Sequence, residues 1–160
     1  MHPFPSALDG LVTAALILIA SGTPDVAARL GFAMFALQAA IGTANDLVDE
    51  PLDRGRKLGK PLPRGLISRN AARALLAGAL IVGLGLSAVS GFAVLAVAIL
   101  GSAIGLAYDR WLKGTIWSWL PFAVGIPLLP IYAWLGAVGR LPPAFWVLVP
   151  TAVQIGRAHV

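Results

Sequence analysis

Asparagine and aspartate residues recur at helical spacing in one short stretch of the sequence. Asn45, Asp49 and Asp53 are spaced four residues apart, and Asp46 precedes Asp49 by three. These intervals place side chains on one face of an α-helix, so the stretch predicts a row of carboxylates with one amide. Pro51 interrupts the last turn and makes Asp53 the least regular member of the row. Carboxylates this close repel one another unless a cation binds between them.

A hard divalent cation suits these ligands. Mg²⁺ prefers carboxylate and amide oxygens and usually completes its octahedron with water and phosphate oxygens. The basic residues that follow could bind the remaining phosphate charge, because Arg and Lys both pair with phosphate oxygens. They are Arg54, Arg56, Lys57, Lys60 and Arg64. Acids and cations together predict a site for a metal-bound diphosphate.

The segments around this stretch are strongly apolar. Hydrophobic residues make up 58% of the chain and charged residues 12%, with a mean hydropathy of +0.84. Soluble domains carry about a quarter charged residues, so the composition predicts a membrane protein. Spans need about 20 apolar residues each. The fold class predicted is all-α, a multi-pass bundle with spans near residues 6–21, 26–47, 71–89, 91–108 and 116–138 and a sixth beginning near Pro142.

The basic residues predict the orientation of these spans. Seven of the twelve Lys and Arg lie between Arg54 and Arg73, and Arg110 and Lys113 lie on the loop after the fourth span. Basic loops beside apolar spans face the cytoplasm more often than they bind nucleic acid. The first ten residues lack a basic region, so we expect a retained first span. The prediction is a plasma-membrane protein with its acidic motif and N-terminus in the cytoplasm.

Several motifs resemble one known family. The pattern NDxxDxxxD, followed by KPLPRGLIS, resembles the first aspartate-rich motif of the UbiA superfamily of intramembrane prenyltransferases. The approach QAAIGTAND and the later segment YDRWLKGTIWSWLPFAVGIPLLPIYAW are also similar, so the resemblance extends from about Pro3 to about Val153. It implies an enzyme that uses Mg²⁺ to transfer a prenyl group from an allylic prenyl diphosphate to a lipophilic acceptor. An aromatic ring, a quinone precursor, a porphyrin and a glycerol- or sugar-phosphate are all open as acceptors.

The resemblance also implies roles for individual residues. The first motif would hold Mg²⁺ on the diphosphate, with its three aspartates as the catalytic groups. The metal ligands expected are Asn45, Asp46, Asp49 and Asp53. The diphosphate-binding residues expected are Arg54, Lys57, Lys60, Arg64, Tyr108 and Lys113.

Three positions depart from the family pattern. Lys60 replaces the usual Arg, and Arg64 stands where Ser is common. The interval from Tyr108 to Lys113 is one residue longer than the YxxxK of the ubiquinone-type branch. These departures affect the expected identity of the acceptor more than the expected prenyl-transfer reaction.

The resemblance also indicates a longer protein. Full-length relatives of this kind carry about nine spans of about 20 residues each and a second aspartate-rich motif, whereas no acid follows Asp109 here. The final residues IGRAHV correspond to the translated start of a common sequencing adapter. We therefore expect residues 1–154 to be the N-terminal part of a UbiA-type domain, inactive alone, and residues 155–160 to be an artefact.

Other interpretations remain open at this stage. A solvated loop would pair Asp49, Glu50 and Asp53 with neighbouring cations, since surface ion pairs are common. A CDP-alcohol phosphotransferase-like enzyme would also cluster aspartates around Mg²⁺, but its D-G-x-x-A-R opening is missing between Asp46 and Arg73. A transporter or assembly protein would more naturally use ionisable residues in the middle of its spans.

Overall fold

The computed structural model describes residues 3–54, 57, 59–147, 150–151 and 154, and these contain helices and turns with no strand. The all-α class is therefore confirmed. The helices are α1 (Pro3–Ile19), α2 (Pro24–Asp53), α3 (Arg69–Ala88), α4 (Phe92–Ala107) and α5 (Leu120–Val138). A single π-helical turn, Tyr108–Leu112, follows α4, and a short 3₁₀ helix, Pro143–Val147, follows α5. Arg56 and the proposed artefact at residues 155–160 lie outside the described residues.

Four of these helices are long and apolar enough to cross a membrane. They are α2, α3, α4 with its π-helical turn, and α5. The first predicted span corresponds to α1, which has 17 residues and falls short of the usual span length of about 20. The described residues thus contain four candidate spans, which does not confirm the predicted count of about five, and the expected start of a sixth is a 3₁₀ helix in the described part of the chain.

Helix α2 is the centre of the bundle and contacts the other four helices. It starts at Pro24, where a missing backbone N–H costs no hydrogen bond. It continues through Pro51 to Asp53, so the whole acidic row lies on one helix. Small residues let α1 approach closely: a Cβ on Gly10 would meet the backbone oxygen of Gly31 at 2.8 Å.

Close contacts also fix the direction of the neighbouring helices. Gly105 of α4 lies against Ile41 of α2, and Lys113 after α4 reaches Asn45, so α4 runs parallel to α2. Gly136 of α5 lies against Leu30, near the start of α2, so α5 runs antiparallel. The ends of α2 and α4 and the beginning of α5 therefore meet at one end of the bundle.

Candidate active site at the end of α2

The four acids at the end of α2 have two different sets of partners. Asp46 and Asp53 are buried, and Asp49 is half-buried beside them. Glu50 is also buried, and Arg54 Nη2 and Arg69 Nη1 each lie 2.6 Å from one of its carboxylate oxygens. Since Arg69 begins α3, Glu50 ties two helices together, and its arginine partners distinguish it from the aspartate row.

Lys60 fills the space between two of the aspartates. Its Nζ lies 2.8 Å from Asp46 Oδ1 and 2.8 Å from Asp53 Oδ2, and 4.0 Å from Asp49 Oδ2. Only 12% of the Lys60 side chain is exposed. Lys57 adds an exposed pair with Asp53 at 3.0 Å. The loop after α2 therefore folds back so that one nearly buried ammonium group pairs with two carboxylates.

Lys113 occupies the second position along the row. Its Nζ donates hydrogen bonds to Asn45 Oδ1 at 2.9 Å and to Asp49 Oδ2 at 2.7 Å. The backbone N–H of Lys113 donates to the Tyr108 carbonyl at 2.9 Å, five residues back, as a π-helical turn requires. This wider turn accommodates the extra residue between Tyr108 and Lys113. Lys113 therefore reaches the acidic row despite the extra residue.

The oxygens of the row thus converge at two points, each now marked by a lysine ammonium group. Within residues 3–54 and the other described segments, no group of three His, Cys, Asp or Glu side chains is arranged so that it could hold a metal ion by itself. The described residues would therefore supply only part of a coordination shell. Carboxylate and amide oxygens are still ligands that Mg²⁺ accepts alongside water and phosphate oxygens. The residues fit a metal that binds together with a diphosphate better than a closed structural metal site.

A cavity of about 820 Å³ opens beside this row and extends into the bundle. Its volume falls within the range of about 300–1,000 Å³ that is common for ligand sites. Asn45, Tyr108 and Lys113 lie at its polar end, and Met34 and Tyr132 at its apolar end. The rise along α2 from Met34 to Asn45 is about 16 Å. The polar site is therefore the mouth of a deep and mostly apolar cavity.

The structure brings together most of the residues predicted for the site. The expected metal ligands all lie on one helix face, with Lys60 and Lys113 against them. Lys57 forms an ion pair with Asp53 at the end of the row. Tyr108 lines the mouth, where its ring meets Phe122 edge-on at 5.2 Å. Two predicted residues lie elsewhere, since Arg54 turns to Glu50 and Arg64 is exposed on the loop.

Sequence reasoning missed two acids that line the cavity. Asp109 follows Tyr108 directly and is only 6% exposed. Asp9 lies on α1, level with the middle of α2. A lone acid inside an apolar run is a known signal of function in membrane proteins, and it could have identified Asp9. Asp109 was not predicted because the family resemblance assigns roles to Tyr108 and Lys113 and none to the residues between them.

The helices and the site together define the class of molecule: a multi-pass membrane protein with an acidic and basic site at the mouth of an apolar cavity. Residues 10–159 match the sequence profile of the UbiA prenyltransferase family. The chain belongs to this family.

Similar proteins with curated names support the assignment. Over 153 residues the chain is 32% identical to the digeranylgeranylglyceryl phosphate synthase of Methanopyrus kandleri, which covers 92% of this chain and 55% of that protein. A protein of the same name from Methanoculleus marisnigri is 33% identical over 71% of this chain and 41% of its own length. The chain therefore spans about half the length of these relatives.

Two solved structures share the fold. One is described as digeranylgeranylglyceryl phosphate synthase in membranes, with a TM-score of 0.80 and 18% identity. The other is the apo structure of a UbiA homolog from Aeropyrum pernix K1, with a TM-score of 0.75 and 19% identity. Each similarity covers 98% of this chain and 60% of the other chain. The agreement shows that the helices of this chain are arranged as in larger family members.

Proposed function

We propose that the protein transfers a prenyl group from an allylic prenyl diphosphate to a hydroxyl group of a glycerophosphate-type acceptor. The observation that carries the proposal is that Asn45 and Lys113, which belong to the acidic and basic site, also line the polar end of the apolar cavity. Such a cavity suits a ligand with a strongly anionic head and a long apolar tail. Membership of a prenyltransferase family and the names of the relatives support the same reaction.

The polar residues would act on the leaving diphosphate. Asn45, Asp46, Asp49 and Asp53 would hold Mg²⁺, which supplies positive charge to the leaving group when bound with it. Lys60 and Lys113 now neutralise the row, and their ammonium groups are free to turn to phosphate oxygens when a divalent cation takes their place. In many enzymes, positive charge placed in advance where negative charge develops makes the largest single contribution to the rate enhancement.

The apolar cavity would hold the prenyl chain and keep water from the reacting carbon. Its lining on α2 extends from Met34 to Asn45, a rise of about 16 Å. An allylic carbon that loses diphosphate becomes electron-poor, so exclusion of water protects it from hydrolysis. The faces of Tyr108 and Phe122 lie at the mouth and could stabilise such a cation through their π-electrons.

The relatives favour one acceptor among those that the sequence left open. They are digeranylgeranylglyceryl phosphate synthases by name, which supports a glycerophosphate-type acceptor over an acceptor from quinone biosynthesis. The family assignment also favours this function over a CDP-alcohol phosphotransferase-like enzyme or a transporter. We propose further that the acidic end faces the cytoplasm of a plasma-membrane protein, because the basic loops lie at that end.

The experiment uses membranes from cells that express the longest reading frame containing this chain. Radiolabelled geranylgeranyl diphosphate is supplied with a glycerophosphate ether lipid or with a phenolic acid, with Mg²⁺ or with a chelator. We expect Mg²⁺-dependent labelling of the glycerophosphate acceptor, and its loss in Asp49→Asn.

Asp25→Asn provides a matched control, since Asp25 is an exposed acid at the opposite end of the same helix. It should leave the labelling within about twofold, as surface substitutions usually do. Equal labelling with and without Mg²⁺, or labelling of the phenolic acid alone, would show that the proposal is wrong.

A further inference from the structure

Asp109 has a buried carboxylate that the proposed binding of metal and diphosphate does not use. It lies in the π-helical turn Tyr108–Leu112, and the residue is 6% exposed. Among the residues that the structure describes, its Oδ2 atom has no hydrogen-bond partner. A buried charged oxygen without a partner is costly, so native proteins keep one mainly where a ligand or a reaction needs it.

The location of Asp109 separates it from the other carboxylates of the site. Asp109 lines the cavity together with Asn45 and Lys113, whereas Asp46, Asp49 and Asp53 do not line it. Asp109 therefore lies in the wall of the cavity, at the same polar end as Asn45 and Lys113, whereas the three aspartates of the row lie outside that wall. An acceptor that enters the cavity can thus contact Asp109 without displacing the groups proposed to bind the metal and the diphosphate.

The wall that presents Asp109 contains a second oxygen of the same kind. Ser102 lies seven residues earlier, about two helical turns deeper along the same wall. Its Oγ is also buried and has no partner within the described segments. This wall of α4 thus offers two oxygen atoms to a hydroxyl-bearing ligand inside a cavity that is otherwise mostly apolar.

We propose that Asp109 is a catalytic residue that accepts the hydroxyl proton of the acceptor. The inference rests on the proposed function. The bond between the allylic carbon and the diphosphate oxygen breaks, and its electron pair leaves with the diphosphate. A new bond forms between that carbon and the acceptor oxygen. The proton of the acceptor hydroxyl passes to the Asp109 carboxylate and from there to water at the cavity mouth.

A thiol analogue of the acceptor tests this role, because a thiol ionises more readily than an alcohol and depends less on a base. General-base catalysis contributes about 10²–10⁴ in rate. Asp109→Asn should therefore lower kcat with the hydroxyl acceptor by about 100-fold or more, and with the thiol analogue by less than tenfold. The KM for prenyl diphosphate should stay within about twofold, which also shows that the variant folds.

Asp25→Asn is the matched control, since it makes the same change to an exposed acid at the opposite end of α2, outside the cavity. This variant should change kcat equally little with both acceptors. The binding of Mn²⁺ with inorganic diphosphate, measured by electron paramagnetic resonance, should be the same in wild type and Asp109→Asn.

Three outcomes would overturn the proposal. Equal loss of activity with the hydroxyl and thiol acceptors would indicate a structural role for Asp109. Weakened Mn²⁺ binding in Asp109→Asn would make it a metal ligand. A wild-type protein that prenylates no hydroxyl acceptor would remove the proposed function as well, whereas the first two outcomes leave that function standing.

Discussion

The end of α2 contains two acidic regions whose carboxylates have different partners. Glu50 lies between two arginines, which donate hydrogen bonds of 2.6 Å from α2 itself and from α3. The aspartate row, one residue away in sequence, meets lysines from two loops instead. Planar guanidinium groups fix a carboxylate in one geometry, whereas an ammonium on a flexible stem can move to another partner. One region therefore holds the fold together, and the other is suited to exchange ligands.

Replacement of Lys60 should have the largest effect on the binding of Mg²⁺ with inorganic diphosphate. Replacing it in Lys60→Met leaves Asp46 and Asp53 without their nearly buried counter-ion and removes a positive charge for the diphosphate. Removal of one partner of a buried charge pair costs about 2–5 kcal/mol in binding, so the affinity for Mg²⁺ with inorganic diphosphate should fall about 100-fold. Isothermal titration calorimetry measures this affinity.

Arg54→Met is the matched control for Lys60. Arg54 is six residues away and pairs only with Glu50 among its described contacts, and 70% of its side chain is exposed. Its removal should change the affinity for diphosphate by less than about threefold, as expected for an exposed ion pair. Equal losses in the two variants would show that the two regions do not differ as described.

Glu50→Gln should affect stability and leave binding intact. The substitution weakens two charge-assisted hydrogen bonds of a buried carboxylate, each worth about 1.5–3 kcal/mol before allowance for the exposure of Arg54 and Arg69. We expect the free energy of unfolding to fall by about 1–2 kcal/mol after that allowance. Thermal unfolding in detergent should show a lower Tm, and diphosphate affinity per folded molecule should be unchanged. A loss of affinity without a change in Tm would place Glu50 in the binding site.

Deletion of Trp111 should have the smallest effect. Trp111 is 70% exposed in the π-helical turn, and its removal leaves three residues between Tyr108 and Lys113, a spacing of four that suits an ordinary α-helical turn. Lys113 should still reach Asn45 and Asp49, so diphosphate affinity should stay within about fivefold.

Insertion of an alanine after Trp111 is the matching test. It would rotate Lys113 by about 100° and should cost much more affinity than the deletion. A deletion as harmful as the insertion would mean that the π-helical turn has a role beyond accommodating one residue.

The sequence could predict the helices and the acidic row because both depend on local periodicity. Long apolar runs predict helices of membrane length, and the intervals between Asn45, Asp46, Asp49 and Asp53 predict one helical face. These features need no knowledge of the neighbouring elements. Glu50 lies four residues after Asp46 and three before Asp53, so this local pattern does not separate it from the row, and only its arginine partners do.

The partners of the acids could not be predicted in this way. Lys60 reaches the row because a loop folds back, Lys113 because a π-helical turn follows α4, and Arg69 reaches Glu50 because α3 begins beside α2. Each is a long-range contact that depends on tertiary packing. The buried position of Asp109 depends on the cavity, which no single segment encodes.

The most direct test of the central claim is a titration of the purified protein with inorganic diphosphate, with and without Mg²⁺. If the aspartate row and the lysines bind a metal-bound diphosphate, tight binding should require Mg²⁺ and should weaken at least about 100-fold in Asp49→Asn. Binding of the same strength without Mg²⁺, or unchanged binding in Asp49→Asn, would contradict the account.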